Sequence, residues 1–239
     1  MRVSPINKNT VETWESYFQA DWEKNAGRRQ TALFARYFLD TVRLPPEAKT
    51  LLDVGCGMGD ALPEIHARYP HLKLKGCDVS ANALEKARQS YGGIADFEEW
   101  GFDDIEGHFD VIYCSNTLEH FENHVDIAAG LLAHCRWLYI LVPYMELKDG
   151  KRLTVDPGEW HVATFDERTF DPLLKRAAAT KVRHWLHPCP IAWGPPPAPL
   201  WKRAARKVKN TLLGRPPRAE IFFEVTSSGR GNTNGHGNG

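Results

Sequence analysis

Two hydrophobic periods share this chain. From residue 50 onward, short apolar runs alternate with segments whose apolar residues recur every three to four positions. The runs TLLDVG (50–55), LKLKGCDVS (72–80), IADFEEW (94–100), HFDVIYCSN (108–116) and WLYILVPY (137–144) read as strands, followed by KVRHWL (181–186) and IFFEV (221–225). Between them DALPEIHARYP (60–70), SANALEKARQS (80–90), VDIAAGLLAHC (125–135) and TFDERTFDPLLKRA (164–177) read as helices. Pro63 belongs in a first helical turn, Ser80 is an N-cap, and Thr164 with Glu167 forms a capping box. Upstream, Leu33, Phe34, Tyr37, Phe38 and Val42 mark one helix face, ended by LPPE (44–47). Strand–helix alternation implies an α/β fold with a parallel sheet covered on both faces. The chain divides into an N-terminal helical cap (1–47), a main domain (48–226) carrying a Pro-rich, basic insertion (187–220), and a disordered low-complexity tail (227–239).

Composition narrows the classes. The 239 residues are 42% hydrophobic and 25% charged, with 30 basic residues against 30 acidic ones, so no global grip on nucleic acid is expected. MRVSPINKNT has no apolar core of a signal peptide, and the apolar run at 137–144 is too short to span a bilayer. Five cysteines without a C-x-x-C pair suggest reduced thiols and a cytoplasmic protein. In the insertion, Trp201, Ala204, Ala205, Val208 and Leu212 share a helical face, with Lys202, Arg203, Arg206, Lys207 and Lys209 around it. Two readings stay open there: a basic amphipathic helix (201–213) on an anionic membrane or substrate, or a solvated helix packed by its apolar stripe.

The chemistry centres on LLDVGCGMGD (51–60), where glycines alternate straight after a strand. Glycine permits a left-handed turn and close approach of a ligand to the main chain. The dinucleotide pattern G-x-G-x-x-G requires glycine at 60; Asp60 stands there and would repel a pyrophosphate. Asp53, before the first glycine, suits a ligand with an ammonium or sulfonium. Asp78, closing the second strand, suits ribose hydroxyls.

LLDVGCGMGD (51–60), LKGCDVS (74–80), FDVIYCSNTLEHFEN (109–123) and LYILVPY (138–144) resemble the class I S-adenosylmethionine (SAM)-dependent methyltransferases. Within them the chain is similar to small-molecule enzymes whose fourth strand runs into a Leu-Glu-His turn. The resemblance implies a Rossmann-like, doubly wound sheet of seven mostly parallel strands, the last antiparallel and inserted. It implies SAM as cofactor and S-adenosylhomocysteine (SAH) as product. Gly55, Cys56 and Gly57 would line the methionine end, Asp53 the loop or the amino group, Asp78 the ribose, Val79 the adenine, and Ser115 and Asn116 the methionyl end. For the third motif, Phe102, Asp103 and Asp96 compete to cover the adenine.

Methyl transfer from a sulfonium is an in-line displacement that asks the protein for alignment and desolvation. A hydroxyl acceptor gains from a general base. Candidates are His120, His124 and His161, with His161 favoured as base and His120 as shaping the pocket. Tyr144 and Asp156 would orient an acceptor, Trp14, Tyr17 and Trp160 would wall it in, and Arg28, Arg29 and Gln30 would either close over the cofactor carboxylate or form a solvated helix start. CSNT in place of an Asn/Asp-Pro-Pro-aromatic motif argues against amino-methylation of nucleic acid, and Cys189 falls after the wrong strand for a pyrimidine nucleophile. No metal-binding aspartate ends the fourth strand, so a metal-independent centre is expected. The expected reaction is O-methylation of a small molecule or glycan precursor. The rivals are N-methylation of a small amine, with Glu119, Glu146 and Asp156 as acidic neighbours, and a non-catalytic SAM-binding partner subunit.

Overall fold

The structure is a computed structural model that describes residues 9–145, 147–148, 151–152, 161–177, 179–188, 199, 201, 205, 208 and 219–228. The tail 229–239, nearly all of the basic insertion, and Glu146, Asp156, Trp160 and Cys189 lie outside the described residues. Two helices come first, α1 (Val11–Ala20) and α2 (Gly27–Thr41). Then follow β1 (Thr50–Val54), α3 (Leu62–Arg68), β2 (Lys73–Asp78), α4 (Ala81–Tyr91), β3 (Ala95–Glu99), β4 (Phe109–Ser115), α5 (His124–Ala133) and β5 (Cys135–Pro143). The described chain ends with α6 (Leu173–Arg176), β6 (Ala179–Pro188) and β7 (Ala219–Ser227).

The seven strands form one sheet in the order β3-β2-β1-β4-β5-β7-β6. The first five pair in parallel, and β7 lies antiparallel between β5 and β6. This is the doubly wound, seven-stranded arrangement expected, with the last strand reversed and inserted. The two-residue periodicity of the strands sorts the core into two layers. Leu51, Val111, Tyr113, Tyr139 and Phe222 face α2, α3 and α4; their neighbours Leu52, Ile112, Cys114, Ile140 and Phe223 face α5 and α6. Both faces are therefore apolar, which is why the central runs read as unbroken rather than alternating.

Local signals hold where expected at α3, with Pro63 in its first turn, and at α4, where the Ser80 hydroxyl accepts from Ala83 N at 3.1 Å. The capping box at Thr164 and Glu167 does not form. Instead the Thr169 hydroxyl donates to Asp166 Oδ1 and accepts from Asp166 N, and Asp166 Oδ1 accepts from Arg168 N, closing a turn that leaves only the four-residue α6 beyond it. Phe165 is meanwhile drawn into a bridge with Tyr144. α1 mixes aromatic and charged residues, and Thr10 caps it by accepting from Thr13 N at 3.3 Å. It docks on α4 through Glu15, which accepts from the Asn82 backbone and side-chain amides, and through Lys86 donating to the Phe18 carbonyl. Beneath it Phe18 packs with Met58 and Ala83, flanked by Trp14 and Trp22.

Candidate active site

In the sheet order, β1 and β4 are the neighbours from which the chain winds outward in opposite directions, and such a reversal opens a crevice at the strands' C-terminal ends. From β1 the chain turns through Gly55, Gly57 and Gly59, at φ of +72°, +52° and +77°. All three lie in the region that penalises a Cβ, which explains their alternation. At Gly55 a side chain would also collide with Thr117. The loop is bonded to the end of β2: Gly55 N and Cys56 N donate to the Cys77 carbonyl at 2.9 and 3.0 Å, and Gly57 N donates to Asp78 Oδ2 at 2.8 Å. The other Asp78 oxygen accepts from Ser80 N at 3.0 Å. Burial pushes the Asp78 carboxyl above its usual range, against the pull of these N–H groups.

Asp53 sits level with Gly76 on β2 and Tyr113 on β4. It is 2% exposed, and its Oδ2 has no hydrogen-bond partner. Burial, helped by the charge of Asp78, pushes its carboxyl up to about 8. Cys56 is buried beside both acids, and burial drives its thiol well above the ordinary range, so it stays protonated and unreactive.

The crevice encloses a cavity of about 820 Å³. Asp53, Gly55, Cys56, Gly57, Asp78, Val79, Phe102, Ser115, Asn116, His120 and His161 all line it. Of the three candidates for the third motif only Phe102 does so, edge-on to Phe121 at 5.0 Å; Asp96, within β3, and Asp103 are exposed. Asn116 takes a left-handed φ of +49° at the mouth of β4, its N–H donating to the Leu141 carbonyl at 2.8 Å and its amide to Ser115 Oγ at 3.1 Å. A single 3₁₀ turn, Leu118–His120, follows. The Glu119 carbonyl accepts from Val162 N at 2.8 Å and Ala163 N at 3.1 Å, which brings His161 to within 5.0 Å of His120, ring centre to ring centre. Trp14 also meets His120 edge-on at 4.8 Å, and Asn9 donates to the His120 carbonyl at 3.1 Å.

Several expectations are corrected by this geometry. Arg28 is taken by Asp60, which accepts from Arg28 Nε at 3.0 Å and from the Tyr91 hydroxyl at 2.7 Å. Neither Arg28 nor Arg29 nor Gln30 lines the cavity, and neither does Asp60, so the Asp60 charge serves packing between α2 and α4 rather than ligand choice. Tyr144 donates to Glu167 at 2.6 Å and lies outside the lining. His124 bonds the Phe121 carbonyl and packs on Phe165 and Phe170, and burial lowers its pKa, so it has no part in the cavity. Trp14 and Tyr17 wall the cavity as expected, joined by Phe18, Trp22, Trp100 and Thr117, which sequence reasoning missed. Trp100 carried a signal, being the residue that leaves β3 at the ligand-binding edge.

Residues 52–137, from β1 through the start of β5, match the family described as "Methyltransferase domain". Over these residues the chain is similar to the class I SAM-dependent methyltransferases. This methyltransferase domain is 27% identical over 171 residues to a trans-aconitate 2-methyltransferase of Azoarcus sp. (strain BH72), covering 68% of this chain and 64% of that one. It is 33% identical over 93 residues to the mitochondrial ubiquinone biosynthesis O-methyltransferase of Saccharomyces cerevisiae, covering 36% and 28%. The first relatives matched are spanned over 33–64% of their own length. In fold the domain is similar to the Haemonchus contortus phosphoethanolamine N-methyltransferase 2 solved with SAM (TM-score 0.63, 11% identity, 92% of this chain and 61% of that one). Among the described residues no helix is long and apolar enough to cross a membrane.

Proposed function

We propose that this protein binds SAM at the glycine loop and transfers its methyl group to an oxygen of a small molecule. The observation that carries this is the buried, unpartnered Asp53 oxygen beside a backbone cradle that a Cβ would fill. A carboxylate in that position wants a cation, and a methionyl ammonium supplies one. Gly55, Cys56 and Gly57 hold the methionine part by backbone contact, Asp78 keeps lone pairs for the ribose hydroxyls, Val79 and Phe102 face the adenine, and Ser115 and Asn116 meet the methionyl end. When bound, SAM supplies an already activated methyl group. The residues of this chain align the acceptor, exclude water with the aromatic wall, and take up the acceptor's proton at the His120–His161 pair.

The described lining residues include no lysine or arginine, and its charges are Asp53, Asp78 and Glu119. That lining, with Trp14, Tyr17 and Trp100, suits a neutral, ring-bearing acceptor such as a sugar or a secondary metabolite more than a polyanion. It also supports a second reading, an amine acceptor held near Glu119. The test begins with thermal unfolding in the presence of SAH or NAD. A ligand at a hundred times its Kd adds about 2.7 kcal/mol, which raises Tm by roughly 5–10 °C in a domain of this size. SAH is expected to give that shift and NAD none; no shift with SAH overturns the reading. Labelled SAM with a cell extract then assigns the atom, since a labelled product retained on a cation exchanger would replace oxygen with amine.

A further inference from the structure

We propose that Glu119, His120 and His161 bind one divalent transition-metal ion of the zinc or cobalt type at the acceptor end of the cavity. The donor atoms of these three side chains lie within 4.8 Å of one another. Small side-chain adjustments bring that spacing to ligation distance. They come from two segments fixed to each other by backbone, because the Glu119 carbonyl accepts from both Val162 N and Ala163 N. His120 is braced by Trp14 on one side and through its carbonyl by Asn9. Two imidazoles and one carboxylate form a donor set suited to zinc, cobalt or iron, whereas magnesium and calcium take oxygen ligands. Glu119 is 1% exposed and His120 8%, so bulk water competes little for an ion shared by all three.

Three protein ligands leave a coordination position open, as catalytic rather than structural zinc sites do. All three residues line the cavity, so the open position faces the acceptor. With the ion bound both imidazoles are ligands and no longer take up the acceptor's proton; the ion would instead acidify the acceptor hydroxyl, whose proton leaves to solvent. The centre is then metal-assisted, contrary to the expectation from the missing strand-four aspartate. For its chemistry this inference rests on the methyl-transfer reading; its test does not.

The experiment titrates chelator-stripped full-length protein with Zn²⁺ by calorimetry and with Co²⁺ by visible absorption, and measures SAH binding on the same sample. The expected result is one ion per chain, with affinity falling at least about tenfold in His161→Ala and Glu119→Gln while His161→Ala still binds SAH, which shows that it folds. Should that variant not fold, Co²⁺ added to the wild type is expected to shift the NMR signals of two imidazoles, lost one at a time in His120→Gln and His161→Gln. No ion binding by a wild type that binds SAH overturns the metal site and leaves methyl transfer standing. Ion binding unchanged by His161→Ala places the ion elsewhere and overturns it equally. Ion binding that follows these residues in a protein that ignores SAH upholds the site and removes the methyl-transfer reading.

Discussion

The half of the cavity around the glycine loop is drawn from the ends of two adjacent strands, β1 and β2, and is held by backbone groups: Gly55 N and Cys56 N on Cys77, and Gly57 N on Asp78. The half around His120 and His161 is drawn from segments spread from Asn9 to His161; two backbone bonds to the Glu119 carbonyl join the last of them to the turn, and side chains and aromatic edges supply the rest. A backbone-built site depends on residues whose conformation the sheet already imposes. A side-chain-built site depends on packing between distant segments, so it tolerates exchange of one contact and changes specificity first. Substitutions in the first half should therefore abolish binding, and substitutions in the second should retune it.

The sharpest way to break this contrast is Gly55→Ala. The left-handed φ and the collision with Thr117 together cost about 2–5 kcal/mol. SAH binding measured by calorimetry should vanish, with a lower urea midpoint; near-normal affinity would show that the loop is not the cradle. Asp78→Ala comes next, since it removes the acceptor of Gly57 N and Ser80 N, hydrogen bonds to a charged group worth about 1.5–3 kcal/mol each. SAH should bind roughly 10–100-fold more weakly while the helix cap by Ser80 persists.

Asp53 adds a pH signature to the same half. In the ligand-free fold its carboxyl is held at about 8, against about 3.9 in an unfolded chain. Between those values the folded state binds the extra proton, so this stabilising contribution is full below the unfolded pKa and is lost as pH rises through about 8. A ligand ammonium needs the ionised form, so SAH affinity should climb by about tenfold per pH unit between pH 6 and 8 and then level off. Asp53→Asn should flatten that slope; an unchanged slope would take Asp53 out of cofactor binding. The smallest effect is expected in the acceptor half. Trp14→Leu removes an aromatic contact to His120 worth about 0.5–1.5 kcal/mol. The acceptor KM should rise several-fold with the SAH Kd unmoved; equal changes in both would mean that the two halves are not separable.

The same contrast explains what could be read from sequence. Asp53, the three glycines and Asp78 were legible because each answers a local demand: a positive φ, a strand end, a buried acid beside a turn. Phe18 and Trp22 were not, since their place over the cavity depends on α1 docking on α4, a contact between residues far apart in the chain. Arg28 was misassigned for a related reason, its charge being claimed by Asp60 across the α2–α4 junction rather than by a ligand. At Thr164 two local patterns competed, and the Asp166–Thr169 turn won once Phe165 was bridged to Tyr144.

The bonds from the glycine loop to β2 have a consequence for the rate of cofactor capture. The loop's conformational entropy is spent when the sheet folds, before any ligand arrives, so no ordering step has to follow encounter. Association at this end should be a single bimolecular phase whose observed rate rises linearly with cofactor concentration. A slower, saturating phase would place a rearrangement outside the glycine loop.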